Sequence, residues 1–262
     1  MQVNDIDGWL WAAGTAGEIA LLGILCARRV YRTFPIFFSW LTFVVLLEPT
    51  FYWLVHHASK ETYYQVFFAL NFPQYLLEAG VLIEIAANVL RPVKRALPKG
   101  LLYFLVGGMV LIGAVAFIIA THLNASTLAH PRYFQVINAT MAILRLVTFL
   151  LIAAFSQLLG IGWRNHVLQL ASGLAFYAAV TLIVELGHSH LRAGSDYASQ
   201  FYALEHLRVA GYLCSLTYWC YSFARKEAPR KEFSPQMAQL LVSISGSTKR
   251  QHSVVARSLD LK

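Results

Sequence analysis

Residues 133–160 read YFQVINATMAILRLVTFLLIAAFSQLLG, and Arg145 is their one formal charge. A helix needs about 20 mostly apolar residues to cross the hydrocarbon core of a bilayer. This stretch has them. Outward from it, six further stretches meet the same criterion: 8–27, 35–56, 64–90, 101–122, 167–188 and 200–224. The third span and the fifth are long enough to tilt or to project beyond the bilayer. Connections are short, so no soluble domain fits between spans. The 262 residues are 58% apolar and 13% charged, and their mean hydropathy is +0.55. A soluble domain carries about 25% charge. Half that value excludes an ordinary soluble globule, disorder and a disulfide scaffold. The expected fold is all-α: a polytopic seven-transmembrane-helix bundle over 1–224, then a basic cytosolic tail over 225–262.

Charge sets the expected orientation. Arg28, Arg29, Arg32, Arg91, Lys94, Arg95, Lys99, Arg164 and eight tail cations fall on one side; Lys60, Arg132 and Arg192 fall on the other. Basic residues collect on the cytoplasmic side. The N-terminus is therefore expected outside and the C-terminus in the cytosol. The first 27 residues hold no Lys or Arg, and Asp5 and Asp7 precede the apolar run. A cleaved signal would open with a positive segment, so the first span reads as a retained helix. The net charge of +8 follows from the same asymmetry and suits anionic lipid rather than nucleic acid. In the tail, Ser234 and Pro235 suit a helix start, and Met237, Leu240, Leu241 and Ile244 recur at helical spacing. These predict a short surface helix on the cytosolic leaflet. Cys26, Cys214 and Cys220 all lie inside spans, without zinc-ligand spacing, and read as buried small apolar residues.

Eight ionisable groups lie within spans: Glu18, Glu48, Glu78, Glu84, Arg145, Glu185, Glu205 and Arg208. Such groups are costly in a bilayer and face the bundle interior. Helical spacing aligns them with other polar residues: Asn71, Gln74 and Glu78; Asn138, Arg145 and Thr148; Tyr177, Thr181, Glu185 and His188; Glu205, Arg208, Tyr212, Ser215, Trp219 and Ser222; Glu48, Tyr52 and His56. At about 1.5 Å per residue, Glu18, Glu48, Glu78 and Arg145 fall near the midplane, and Glu185, Glu205 and Arg208 in the outer half. The polar faces are expected to converge on an outward-opening cavity. A lone midplane Arg needs a carboxylate, and Glu78 is the expected partner of Arg145, with Glu48 second. The alternative is that these groups only lock helix packing. Six Glu against two Arg nevertheless leave carboxylates that need a proton, a metal or a cationic ligand. Candidate ligand- or ion-binding residues are Glu48, Glu78, Arg145, Glu185, His188, Glu205 and Arg208.

Seven of the nine histidines, among them His56, His57, His122, His130, His190 and His206, lie at or near the outer face. Imidazole binds transition metals and titrates near neutrality; it is also at home at helix ends. Glu185-Leu186-Gly187-His188 is the best metal pair, but bundle di-metal sites use two such motifs and the chain has one. No cofactor is expected, and a transition metal on Glu185 and His188 is the exception to test. Pro49 and Pro73 interrupt spans and free backbone carbonyls, a feature of binding sites and of plain packing alike.

Familiar seven-helix chemistry is excluded by residue type. A retinal Schiff base needs a Lys in the last span, and no span contains Lys. The His-x-x-x-His pair of ceramidase-like membrane hydrolases is missing, as is the second proline hinge of sugar carriers built on triple-helix repeats. Nucleotide loops and nucleophile elbows are missing too.

Several blocks carry a resemblance: Arg28-Arg29-Val30-Tyr31-Arg32-Thr33-Phe34-Pro35-Ile36-Phe37-Phe38-Ser39-Trp40-Leu41, Phe51-Tyr52-Trp53, Glu78 with Leu82-Ile83-Glu84-Ile85 and Val89-Leu90-Arg91-Pro92, Arg145-Leu146-Val147, Leu159-Gly160-Ile161-Gly162-Trp163-Arg164, and Gly173-Leu174-Ala175-Phe176-Tyr177. Together, over roughly 26–224, they resemble a family of uncharacterised bacterial seven-helix integral membrane proteins. The resemblance implies a bacterial cytoplasmic membrane and supplies no catalytic residue. The outer histidines lie outside its pattern.

The expected function is receptor-like or sensory: binding of a small ligand or ion from the outer side, passed through basic loops and tail to a separate cytosolic signalling partner. A proton- or ion-coupled transporter using the midplane Glu and Arg is one alternative. A membrane enzyme with an outer-face metal site is the other.

Overall fold

The computed structural model describes residues 5–90, 101–123, 132–155, 165–191 and 197–227. Within them the chain forms seven α-helices: α1 (Asp5–Ala27), α2 (Pro35–His57), α3 (Lys60–Leu90), α4 (Leu101–Leu123), α5 (Arg132–Phe155), α6 (His166–His190) and α7 (Tyr197–Ala224). A single 3₁₀ turn, Val30–Arg32, joins α1 to α2, and there is no strand among the described residues. Each helix covers the apolar stretch read from the sequence to within a turn. Residues 156–160 of the fifth stretch lie outside the described residues. So do the loop cations Arg91, Lys94, Arg95, Lys99, Arg164 and Arg192, His130, and the expected tail helix at 234–244.

Five helices contain segments long and apolar enough to cross a membrane: Gly8–Ala27, Pro35–Leu54, Gln65–Val89, Val136–Ala154 and His166–His188. In α4 the qualifying segment, Gly107–His122, is shorter. In α7 the polar ladder that starts at Glu205 dilutes the apolar run. Pro49 and Pro73 both sit inside continuous helices.

The helices close into a ring. α1 packs on α2 and α7; α2 packs on α3; α3 also reaches α4, α5 and α6; α5 packs on α4 and α6, and α6 on α7. Large apolar side chains cover the outside, including Trp9, Leu46, Val110, Leu111, Ile118, Leu150 and Ile183. Buried polar groups point inward, among them Glu18, Glu78, Glu84, Arg145, Thr181, Glu185 and His188. An outside this apolar departs from a water-soluble globule, and with polar groups turned inward it suits lipid. Cys26 and Cys214 are exposed on the bundle surface and Cys220 is half-buried, so the expectation that all three are buried is corrected. A small apolar thiol is as stable against lipid as in a core.

One end of the ring is an aromatic core. Phe37 stacks on Trp40 and meets Trp219 edge-on at 5.6 Å, and Phe223 lies against Phe34 and His166. Gly173 admits Trp219: a Cβ on Gly173 would sit 2.2 Å from the indole Nε1, and Ser215 Oγ donates to the Gly173 carbonyl at 3.0 Å. Small residues let backbones approach where no hydrophobic drive between helices exists. At the same end Arg28 donates to the Ala224 carbonyl, placing a cation on the negative end of α7. Asn165 caps α6, its Oδ1 accepting from Val167 N–H at 3.0 Å, while its Nδ2 donates to Glu227 at 2.7 Å.

Candidate functional site

The C-terminal half of α6 and the N-terminal half of α7 bring four of the expected residues into one cluster. Arg208 Nη2 donates to Glu185 Oε1 at 2.7 Å and lies 3.6 Å from Glu205 Oε1. His188 Nε2 is 3.5 Å from the same Glu205 oxygen. The helical spacing explains the meeting. Glu185 and His188 are three residues apart on α6, Glu205 and Arg208 three apart on α7, and a short connection makes the helices antiparallel neighbours. The His188 ring stacks on Phe201 at 4.6 Å, which fixes its plane. Glu185 and His188 are buried, whereas the Glu205 side chain is 32% exposed. The cluster thus opens to its surroundings through Glu205. Two carboxylates on one guanidinium leave one net negative charge when His188 is neutral.

Arg145 and Glu78 form a second pair at the centre of the bundle. Arg145 Nε donates to Glu78 Oε1, with side chains only 8% and 4% exposed. The Arg145 guanidinium also lies over the Tyr177 ring, 5.1 Å from its centroid, a cation–π contact. Glu78 is thus the partner, as expected. Glu48 is elsewhere, on α2 beside Trp11 of α1.

Tyrosines, which the charge pattern did not single out, connect these groups. Tyr75 Oη donates to Asn138 Oδ1 at 2.6 Å and lies within electrostatic reach of Glu78, Arg145, Tyr177 and Arg208. Tyr177 meets Tyr212 edge-on at 5.5 Å, and Tyr212 Oη donates to Glu18 Oε1 at 2.6 Å. A polar seam therefore runs Asn138, Tyr75, Glu78, Arg145, Tyr177, Tyr212, Glu18 across five helices. The aligned ladders of α3, α5, α6 and α7 signalled the seam, but the sequence could not show which rung meets which.

Glu84 is spoken for. Its two oxygens accept from the N–H groups of Ile36 and Phe37, both at 2.9 Å, so it caps α2 from α3. The signal was present: Phe34 at the N-cap and Pro35 after it offer no side-chain acceptor for those donors. Three of the histidines expected at the outer face are tethered to their own helices. His56, His57 and His190 each pair Nδ1 with the carbonyl four residues earlier, at 2.8, 3.1 and 2.8 Å, a common use of imidazole in a last turn. Among the described residues, no group of three or more His, Cys, Asp and Glu is arranged to hold a metal ion. Glu185 and His188 turn to different partners, Arg208 and Glu205. No family model, curated protein or solved structure matches the chain.

Proposed function

We propose that the chain is a seven-span integral membrane protein, N-terminus outside and C-terminus in the cytosol, that binds a small cation from the outer side in a receptor-like role. The resemblance to bacterial seven-helix membrane proteins supports a bacterial cytoplasmic membrane as its setting. One observation carries the functional reading. Glu185, His188, Glu205 and Arg208 meet between α6 and α7 with an excess of negative charge and an opening at Glu205. Intramembrane ionisable clusters of this kind mark ligand and ion sites. A proton, a divalent metal or a ligand amine would each balance the charge, and His188 would sense pH through its own ionisation. The α6–α7 contact would then change, and with it the basic cytosolic end.

Thermal-shift titrations between about pH 5 and 8, with divalent metals and simple amines, test this in wild type, Glu185→Gln and His188→Ala. Binding-dependent shifts that shrink in either variant support the reading. Identical shifts in all three proteins make the cluster a structural staple and remove the support. The polar seam favours a second reading, an ion-coupled carrier. Proton flux into liposomes holding the protein, abolished by Glu78→Gln, would select it.

A further inference from the structure

The end of the bundle where the first and last helices finish is basic. α1 ends at Ala27 and α7 at Ala224. The Arg28 guanidinium donates to the Ala224 carbonyl, the peptide group that joins Ala224 to Arg225. Arg28 therefore lies against the start of the Arg225-Lys226 pair, with Arg29 and Arg32 following it in the chain. All five of these side chains are exposed. Among the described residues none of the five forms an ion pair with an Asp or Glu. Glu227, the next residue, is turned to α6, where it accepts from Asn165 at 2.7 Å and from the His166 N–H at 3.4 Å. The C-terminal ends of α1 and α7 add about half a negative charge each, too little to balance five cations.

Two details set this patch apart from a solvated run of charge. The Arg225 guanidinium lies over the Tyr221 ring, 4.1 Å from its centroid. The ring covers one face of the guanidinium and leaves the in-plane N–H fork that takes two oxygens of one phosphate. Arg29 holds a left-handed backbone at φ 55°, the one positive φ outside glycine among the described residues. Glycine takes that conformation without a Cβ penalty, so the turn keeps a cation where a smaller residue would fit better. Beside the patch the outside of the two helices is low and apolar. Ala20, Gly23 and Ala27 on α1, spaced i, i+3, i+7, are exposed, as are Tyr221 and Ala224 on α7. A Cβ on Gly23 would meet nothing within 4 Å.

We infer that the phosphate of an anionic phospholipid binds at this end of the α1–α7 seam, between Arg28 and Arg225. Arg29, Arg32 and Lys226 add charge around it, and the acyl chains lie along the exposed outside of α1 and α7. Basic pockets between membrane helices hold anionic headgroups in this way. The apolar surface that runs up to the patch fits a lipid, whose phosphate caps its own chains; an acidic peptide or a nucleic acid would leave that surface uncovered. A phosphate held by both arginines ties the first helix to the last and so strengthens the closure of the ring. The assignment rests on the membrane reading of the bundle. It is independent of the Glu185, His188, Glu205 and Arg208 cluster, which lies at the other end of α7, and of which side the termini face.

Thermal unfolding of the full-length protein in a neutral detergent tests it, with phosphatidylglycerol, phosphatidylcholine or inorganic phosphate added. Phosphatidylglycerol should raise the unfolding temperature, and the other two should not. The rise should shrink between about 0.1 M and about 1 M salt, as the screening length falls from about 10 Å to about 3 Å. The double variant Arg28→Gln, Arg225→Gln should lose most of the rise. Arg29→Gly should unfold no earlier than wild type without lipid, because glycine suits the left-handed turn, yet gain less from phosphatidylglycerol. That variant keeps the site testable if the double variant fails to fold. Lys249→Gln with Arg250→Gln, in the tail, should keep the full rise. An equal rise with phosphatidylcholine or inorganic phosphate, a rise unchanged in the Arg28, Arg225 and Arg29 variants, or one lost only in the tail variant overturns the inference. A protein that inserts into liposomes but shows no rise with phosphatidylglycerol overturns it too, and leaves the membrane reading standing.

Discussion

A guanidinium buried inside a helix bundle has no water to return to, and Arg145 depends on Glu78 and the Tyr177 ring. Removing one member of a buried pair strands the other charge, which costs about 3–5 kcal/mol. Replacing both with apolar residues of similar volume is often neutral or stabilising. Arg145→Leu and Glu78→Leu are therefore each expected to lower stability by that amount, and the double variant to recover most of it. Unfolding of the purified protein by denaturing detergent measures all three. Equal losses in the single and double variants would show that the residues are held by packing alone. Glu78 was legible as the partner because depth along a helix is nearly linear in residue number. Tyr177 was not, since a ring contact depends on how α5 and α6 are rotated about their axes.

The helices owe their ends to neighbours as much as to themselves. α2 begins with Phe34 and Pro35 and borrows its cap from Glu84 on α3. Loss of a cap costs about 0.5–2 kcal/mol, so Glu84→Ala should destabilise by at least the lower figure. Glu84→Gln, which keeps an acceptor but not the charge at the helix N-terminus, should cost less. The same unfolding assay ranks them; a larger loss in the Gln variant would contradict the capping role. α6 and α7 are joined at Gly173, where Trp219 fills the missing Cβ. Gly173→Ala forces the indole aside and should cost about 1–3 kcal/mol by overpacking, visible also as altered Trp fluorescence. Helix positions were readable from apolar length. Glu84's task was not, because a cap donated from another helix leaves no local trace beyond the absence of one.

At the level of the whole molecule the apolar surface faces outward, the charges face inward, and the ring is drawn shut at one end by Arg28 on Ala224 and by Glu227 on Asn165. The proposed orientation puts that end in the cytosol. After replacement of Cys26, Cys214 and Cys220, a single cysteine at Ala58 should react with an impermeant maleimide added outside intact cells. One at Lys94 should react only after the membrane is opened. The opposite pattern would invert the topology. Labelling at both positions from outside would remove the seven-span arrangement.

Composition and apolar run length alone determined that the described residues are helical and where each of the seven helices lies. Both are set by how many consecutive residues can satisfy their backbone internally while presenting apolar side chains. Charge type and helical spacing determined which polar residues share a face: Glu185 with His188, and Glu205 with Arg208. Only the tertiary structure decided the partners. It paired Arg145 with Glu78 and not with Glu48, gave Glu84 to the start of α2, and left buried Glu18 with one oxygen unmatched. Those outcomes depend on the rotation and tilt of packed helices, which sequence spacing along any one helix does not encode.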